Sequence, residues 1–505
     1  MEELKNNKQF TILKWVFIII SIVHIIYAAI TLRGLYLDGA GYMIQMLNDF
    51  ANSKLKIVTD ILGHPRFFVV LLQELPTMFS YFILGIKNKF ALMAIFSFTL
   101  FFLPLLALYW NYKLSQRTNR IDIFFWGLFT YCCLFILFSI YAIVEILIGG
   151  VLHFVLWNYL VSQIEYKKRD ILGIVFLIVM MFGTYEYVAV LGIIFFISSI
   201  YYSSIETNEK SKYIKNLIGL CSLGASIFNI LWMLNVPGND NEIKRFLGEA
   251  LSFYPPIWEL CSIFSIIAIV AIIIINFYKR KISYIFLLII GAISIFFLYK
   301  FINNPQVHIS PVFEGHFRCW PCIILPILFV ILPICDFLKK EINKIKFQNF
   351  ICIVLICGIF QTCWQIVNTY YWDRNIQFMK NELASVDELL YVPANHPKIA
   401  DFFQADARRY IWHNTYPIMS ILFSSTYELK TLLLPYDVPL DFGNHSSREF
   451  LFVIPNEPNK LHTPLGSKID FKNGFWNISK CAIAVDKYNK EHNIEMFIDE
   501  AYIKP

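Results

Sequence analysis

Residues 90–110 read FALMAIFSFTLFFLPLLALYW, an unbroken apolar run without a charged side chain. A helix rises about 1.5 Å per residue, so roughly 20 apolar residues are needed to cross the hydrocarbon core of a bilayer. This run is therefore long enough to span a membrane. The ten residues that follow it, NYKLSQRTNR, are polar and basic. The same alternation of apolar run and basic turn recurs through the first 370 residues.

The composition of the whole chain is that of a polytopic membrane protein. Of its 505 residues, 57% are hydrophobic and 16% are charged, whereas soluble globular proteins have about 45–50% and 25%. This balance excludes a water-soluble enzyme, and the repeated apolar runs exclude a disordered chain. Eleven stretches qualify as spans: 12–32, 90–110, 122–142, 147–164, 171–187, 187–204, 216–235, 257–278, 283–302, 319–338 and 350–370.

Lysine and arginine concentrate in every second connection between these spans. Cytoplasmic loops of membrane proteins carry such an excess, so the 43 basic residues against 37 acidic ones give no reason to expect nucleic acid as a partner. The pattern predicts a multi-pass protein of the plasma (inner) membrane with its N-terminus in the cytoplasm. The basic connections are 5–8, 113–120, 167–169, 210–215, 279–281 and 339–346.

The first external loop, 33–89, contains a segment that does not fit this alternation. Residues 66–86, RFFVVLLQELPTMFSYFILGI, are long enough to cross the membrane but include Glu74 and Pro76. Counting them as a span places the next basic turn outside the cell. We therefore predict one or two amphipathic helices that lie in the outer interface and are broken at Pro76.

Residues 371–505 differ in character from the preceding membrane domain, 1–370. Their apolar runs shorten to strand length (LKTLLLP, REFLFVIP and CAIAVDK) and are separated by turn signals. With an odd number of spans this part lies outside the cytoplasm. The predicted fold class is thus an all-α membrane bundle of about 11 transmembrane helices with a small C-terminal extracytoplasmic α/β domain.

Asp38 is the first candidate catalytic residue. It follows the first span within LRGLYLDGAGYM, between Tyr36 and Tyr42, and Gly39 and Gly41 permit a close backbone approach. A carboxylate held there suits a general base for an acceptor hydroxyl, with the two tyrosines as substrate contacts. The alternative is an aspartate that caps a helix beginning near Tyr42.

Four further residues are candidates on the predicted outer side. Glu186, between two spans, is either a proton acceptor or a solvated hairpin tip, and Arg318 binds either a lipid-linked phosphate or ordinary phospholipid headgroups. His316 beside it is a neighbour of that site or a metal ligand. Trp412, in ARRYIWHNTYP, offers an aromatic face to a sugar or packs in a core.

An Asp in the first external loop, surface helices after it and a C-terminal external domain together resemble the polytopic glycosyltransferases of the GT-C class. The chain is also similar to bacterial multi-span membrane proteins that share LDG, a PRRF-like stretch and a YE pair, here Tyr185-Glu186. The GT-C resemblance implies a polyprenyl-phosphate sugar as donor and an early external Asp or Glu as catalytic group. Since no acidic pair follows Leu37, participation of a divalent cation stays open.

The resulting hypothesis is an integral-membrane glycosyltransferase of the cell envelope. It takes a sugar from polyprenyl phosphate, delivered through the membrane lipids, to a glycan, lipid or protein acceptor on the outer face. In this scheme Asp38 is the base, Glu186 and His316 support it, and Arg318 holds the donor phosphate. There are two alternatives. The protein is a transporter or lipid flippase, or it is a non-enzymatic assembly factor that docks through the external domain.

Overall fold

The structure is a computed structural model of the full chain, and it describes the fold in fourteen stretches. These are residues 7–35, 38–51, 67–136, 145–184, 187–235, 325–333, 344–391, 396, 415–424, 428–433, 452–453, 460–462, 468–470 and 479–492. The predicted spans 257–278 and 283–302 lie outside the described residues, as does most of the predicted external domain.

The described part of the chain is mostly helical. Long apolar helices alternate with short connections, as in an all-α membrane protein. In chain order the helices are α1 Lys8–Ile30, α2 Asp38–Ala51, α3 Phe67–Phe82, α4 Lys89–Thr118, α5 Ile121–Phe129, α6 Glu145–Val161, α7 Lys168–Phe182, α8 Val188–Ser204, α9 Glu209–Asn235, α10 325–333, α11 Lys344–Ser385, α12 Thr415–Phe423 and α13 Ser479–His492.

Four of the described helices are long and apolar enough to cross a membrane: Lys8–Ile30, Lys89–Thr118, Glu209–Trp232 and Phe350–Ser385. Shorter apolar helices cover Ile121–Cys132, Ile148–Val161 and Val188–Ser204. Each of them overlaps a predicted span. The total of eleven spans and their orientation stay predictions.

Large apolar side chains on the outward faces of these helices are exposed, as expected where lipid replaces water as the solvent. On α1, Trp15, Ile19 and Ile30 are all more than half exposed, while Phe17 and Ala28 of the same helix are buried. The buried face of α1 packs against α4 and α11. The core therefore lies between helices, and the apolar exterior extends around them.

The two ends of the bundle are distinct. At one end α1 leads through a 3₁₀ turn, Arg33–Leu35, into α2; we call it the α2 end. At the opposite end Arg117 donates to Asp170 across 2.8 Å. Burial of the Asp170 carboxyl raises its pKa, but the hydrogen bonds from Arg117 and from the Lys167 amide outweigh burial and bring the pKa below its usual value.

The region after residue 370 differs from its prediction in one of its strand-length runs. Helix α11 continues without interruption through Tyr371 to Ser385, and the division into two domains stays a prediction. The run CAIAVDK, predicted as a strand, lies in α13. It is helical because Ala, Lys and Glu are good helix formers, and Lys487 pairs with Glu491 four residues later.

Short strands do occur where two of the other strand-length runs were predicted. The parallel pair β1 Leu390–Tyr391 and β2 Leu432–Leu433 joins the end of α11 to the segment after α12. An antiparallel sheet has the order β3-β4-β5, formed by Phe452–Val453, Lys460–His462 and Lys468–Asp470. A separate α/β domain stays a prediction.

Candidate functional site

The candidate site is built around the turn that ends α1. Leu32 has φ 58°, a left-handed conformation that costs a bulky side chain about 1–2 kcal/mol. The turn is held on both sides: the Thr31 hydroxyl donates to the Tyr27 carbonyl at 2.8 Å, and the Gly34 amide donates to Ser97 Oγ of α4 at 3.2 Å. A strained backbone of this kind persists only where several surrounding contacts hold it in that conformation.

Glycine is required at two positions of this turn. A Cβ on Gly34 would lie 2.7 Å from the Ser97 Cα, and a Cβ on Gly39 would overlap the carbonyl oxygen of Gly34. A Cβ on Gly41 would meet nothing within 4 Å. The prediction of a close approach is therefore confirmed for Gly39 and wrong for Gly41.

Arg33 fixes the turn to the last long helix. Only 4% of Arg33 is exposed, and its guanidinium carbon lies 5.4 Å from the ring centroid of Trp372 in α11. The indole Nε1 of Trp372 donates to the Thr31 carbonyl at 2.9 Å. A cation–π contact and a hydrogen bond therefore attach the part of α11 beyond the predicted span to the start of the first loop.

The segment after α11 returns to the same end of the bundle. Helix α12 packs on α2 and on α11. Lys89, the first residue of α4, donates to the Ser424 carbonyl just after α12, and the ammonium of Lys380 lies 4.7 Å from the ring centroid of Phe423. Helix α2 thus lies between the bundle and the C-terminal segment.

Helix α2 has polar side chains in its buried surface. Gln45, Asn48 and Asp49 are 4%, 6% and 8% exposed, although they belong to the predicted first external loop, 33–89. Apolar side chains around them are buried as well, so α2 is an internal element. Buried polar groups are costly unless they are hydrogen-bonded, and they mark this end as a polar interior.

Helix α3 corrects the prediction for 66–86. It is one continuous helix through Pro76, and no break occurs there. Its polar side chains Gln73, Glu74 and Thr77 are all fully buried, and it packs against α4, α6 and α7. Proline is tolerated in apolar helices when neighbouring helices satisfy the freed backbone groups, which the sequence pattern alone does not show.

The structure describes only two of the predicted site residues. Asp38 is the first residue of α2, so the helix begins four residues earlier than the alternative interpretation expected. Its side chain lies outside the description. Tyr42 is buried one turn into α2, with 2% of its surface exposed. Five predicted site residues lie outside the described residues: Tyr36, Glu186, His316, Arg318 and Trp412.

Three site residues were missed by reasoning from sequence: Arg33, Gln73 and Thr77. Arg33 reads as a flanking cation, and only its contact with a residue about 340 positions later reveals its position. The signal for the other two was available, because Gln73, Glu74 and Thr77 recur at helical spacing within an apolar run. That spacing indicates a polar face turned into the protein.

Metal binding gains no support from the described side chains. Within the described stretches no group of three His, Cys, Asp or Glu side chains is placed to hold a metal ion. The carboxylates of Asp49 and Glu74 belong to different helices, and the structure describes no further metal-ligating side chain that completes a set with them. The sequence matches no protein-family model, no curated protein and no solved structure.

Proposed function

We propose that the protein is a membrane glycosyltransferase that acts at the α2 end, where Asp38 is the general base. The supporting observation is the placement of α2. This helix begins at Asp38 and packs between α4 of the bundle on one side and α12 on the other. In this proposal the packing of α2 between helices shields the reacting group from bulk water, and the membrane delivers the polyprenyl-phosphate donor.

The proposed reaction is a single displacement. Asp38 accepts the proton of the acceptor hydroxyl while that oxygen attacks the anomeric carbon of the sugar, and the bond from this carbon to the phosphate oxygen breaks. The lipid phosphate leaves with the bonding electrons, and the configuration inverts. The first turn of a helix favours a negative charge, and Asp38 is the first residue of α2. Glu186, His316 and Arg318 retain the supporting and phosphate-binding roles inferred from sequence.

The test is sugar transfer by the full chain in proteoliposomes that contain radiolabelled polyprenyl-phosphate sugars. Asp38→Asn removes the base at constant size, and we expect at least a hundredfold loss of transfer, since general-base catalysis contributes about 10²–10⁴-fold. Asp387→Asn is the matched control, because Asp387 is 98% exposed at the same end of the bundle. Unchanged transfer by folded Asp38→Asn protein rejects the proposal.

One observation favours a transporter as the second candidate. Between α4 and α6, the side chains of Asn111, Ser115 and Asn158 are fully buried, and Asn158 Nδ2 donates to Ser115 Oγ at 2.7 Å. Polar groups inside a helical bundle occur along transport pathways. Uptake of solute into liposomes by the Asp38→Asn variant supports this second candidate, and its loss in Asn158→Leu but not in Asp387→Asn assigns the pathway.

A further inference from the structure

Helix α3 has two chemically opposite faces. Leu75 and Phe79 of α3, and Ile83 directly after its last residue, are 46%, 54% and 68% exposed, and they lie four residues apart along one side. Gln73, Glu74 and Thr77 on the other face are fully buried. A soluble amphipathic helix exposes its polar face, whereas α3 exposes apolar side chains and buries polar ones beside the buried Met78 and Tyr81. This arrangement suits a helix between lipid and a partly polar interior.

The polar face of α3 contains side-chain atoms without partners. Across the part of the chain that the structure describes, neither Nε2 nor Oε1 of Gln73 has a hydrogen bond, and neither does Oγ1 of Thr77. Ser80 on the same side of the helix differs, because its hydroxyl donates to the Pro76 carbonyl at 2.7 Å. The orphaned atoms therefore belong to two particular side chains within one helical turn.

Such atoms need a physical explanation. More than nine in ten buried polar groups in native proteins are hydrogen-bonded, and each unsatisfied one destabilises the folded state. A leucine and a valine would fill the same volume without that cost. The environment of Gln73 and Thr77 therefore suits polar side chains only when a bound molecule completes their hydrogen bonds.

We propose that the inward face of α3 binds the hydroxyl groups of the sugar carried by a lipid-linked donor. This inference rests on the proposed function and assigns a place to its sugar. A carboxamide and a hydroxyl each donate and accept hydrogen bonds, and the neighbouring Glu74 carboxylate accepts them, which matches a ring of hydroxyls that do both. The lipid-facing side of the same helix lies where the apolar chain of such a donor would run.

The position of α3 agrees with this role. It packs against α4, whose first residue Lys89 contacts the C-terminal segment, and against α6 and α7. On α6, His153 Nδ1 is 3.0 Å from the hydroxyl of Tyr187, and both side chains are buried. The α3 face thus adjoins helices that already hold buried polar side chains.

The probe for the test is n-octyl-β-D-glucoside, used below its micelle-forming concentration with the full chain in nanodiscs. It joins one sugar to an apolar chain. Methyl glucoside supplies the sugar alone, and octyl tetraethylene glycol supplies the chain with a head group that lacks the sugar hydroxyls. We expect saturation-transfer NMR to show binding of octyl glucoside at least tenfold tighter than that of either other probe. Equal binding of the two octyl probes, or no binding to the wild-type chain, overturns the inference.

The variants are Gln73→Leu and Thr77→Val, with Ser80→Ala as the matched control. We expect each of the two to weaken octyl glucoside binding at least tenfold and to raise the melting temperature of the ligand-free protein. Ser80→Ala should leave binding unchanged. A purely structural role gives the opposite result, because Gln73→Leu would then lower the melting temperature and retain binding.

The inference and the proposed function fail separately. If octyl glucoside binding depends on Gln73 but Asp38→Asn retains transfer, the sugar site stands and the catalytic assignment falls. If Asp38→Asn abolishes transfer while Gln73→Leu transfers and binds like the wild type, only the α3 site is rejected.

Discussion

Replacing Trp372 with phenylalanine tests whether α11 is fastened to the start of the first loop. The indole is 1% exposed and donates its N–H to the Thr31 carbonyl at 2.9 Å. Loss of that donor leaves a buried carbonyl unsatisfied, which costs about 1–3 kcal/mol. The smaller ring removes about 2 kcal/mol of packing, and it weakens the contact with Arg33 by less than about 1 kcal/mol.

The expected destabilisation is therefore about 3–5 kcal/mol, mainly from packing and the hydrogen bond. One kcal/mol shifts the melting temperature by about 2–4 °C in chains of 150–250 residues and less in longer ones, so a decrease of roughly 5 °C is expected. Thermal unfolding of the purified chain in nanodiscs, followed by a thiol-reactive dye, measures this shift.

Trp15→Phe is the matched control, because Trp15 is 55% exposed on the outward face of α1. The same chemical change there should alter the free energy of unfolding by less than about 0.5 kcal/mol. Equal melting temperatures for the two variants would refute the reasoning, since Trp372 would then contribute no more than a side chain in lipid. The attachment of α11 to the turn before α2 would lose its support with it.

Three other sets of variants should differ in stability in ways that the structure specifies. Gly39→Ala should unfold at least 5 °C earlier than the wild type because its methyl group overlaps a backbone carbonyl, whereas Gly41→Ala should be neutral or stabilising by up to about 1 kcal/mol; equal melting temperatures contradict this. Lys215→Met should lower the free energy of unfolding by about 3–5 kcal/mol, because it leaves the buried carboxylate of Glu206 without its ion pair. Loss of the exposed Lys212–Glu209 pair in α9 should lower it by under about 0.5 kcal/mol. Because the pKa of Asp170 is lowered in the folded state, its contribution to stability is complete above the ordinary aspartate pKa of about 3.9 and is lost as the pH falls through the folded-state pKa. The melting temperatures of wild type and Asp170→Asn should therefore converge in acid. A difference that stays constant with pH refutes the assignment.

The long helices could be predicted from sequence because length and apolarity alone determine them. Helix α1 coincides with the predicted span 12–32 to within a few residues, and α4 contains the predicted span 90–110 and continues eight residues beyond it. Prediction failed at Pro76, where the residue type suggests a break. Whether a proline interrupts an apolar helix depends on the helices beside it, and these are not encoded in the local sequence.

The site was predictable only in part, because its geometry depends on contacts distant in sequence. The requirement for glycine at position 39 follows from local spacing, and the structure agrees. The role of Arg33 depends on Trp372, and no local pattern joins them. The run CAIAVDK was predicted wrongly for another reason. Five consecutive apolar residues fit a strand or a helix equally well, and the charged residues after them decide the outcome.

The central claim is that the α2 end of the bundle faces the outside of the cell. Single cysteines in a cysteine-free background, reacted with a membrane-impermeant maleimide, test it most directly. Asp387→Cys marks the α2 end, and Lys168→Cys marks the opposite end. We expect the first to react in intact cells and the second only after the membrane is opened. The reverse pattern would place Asp38 on the cytoplasmic side and contradict the account.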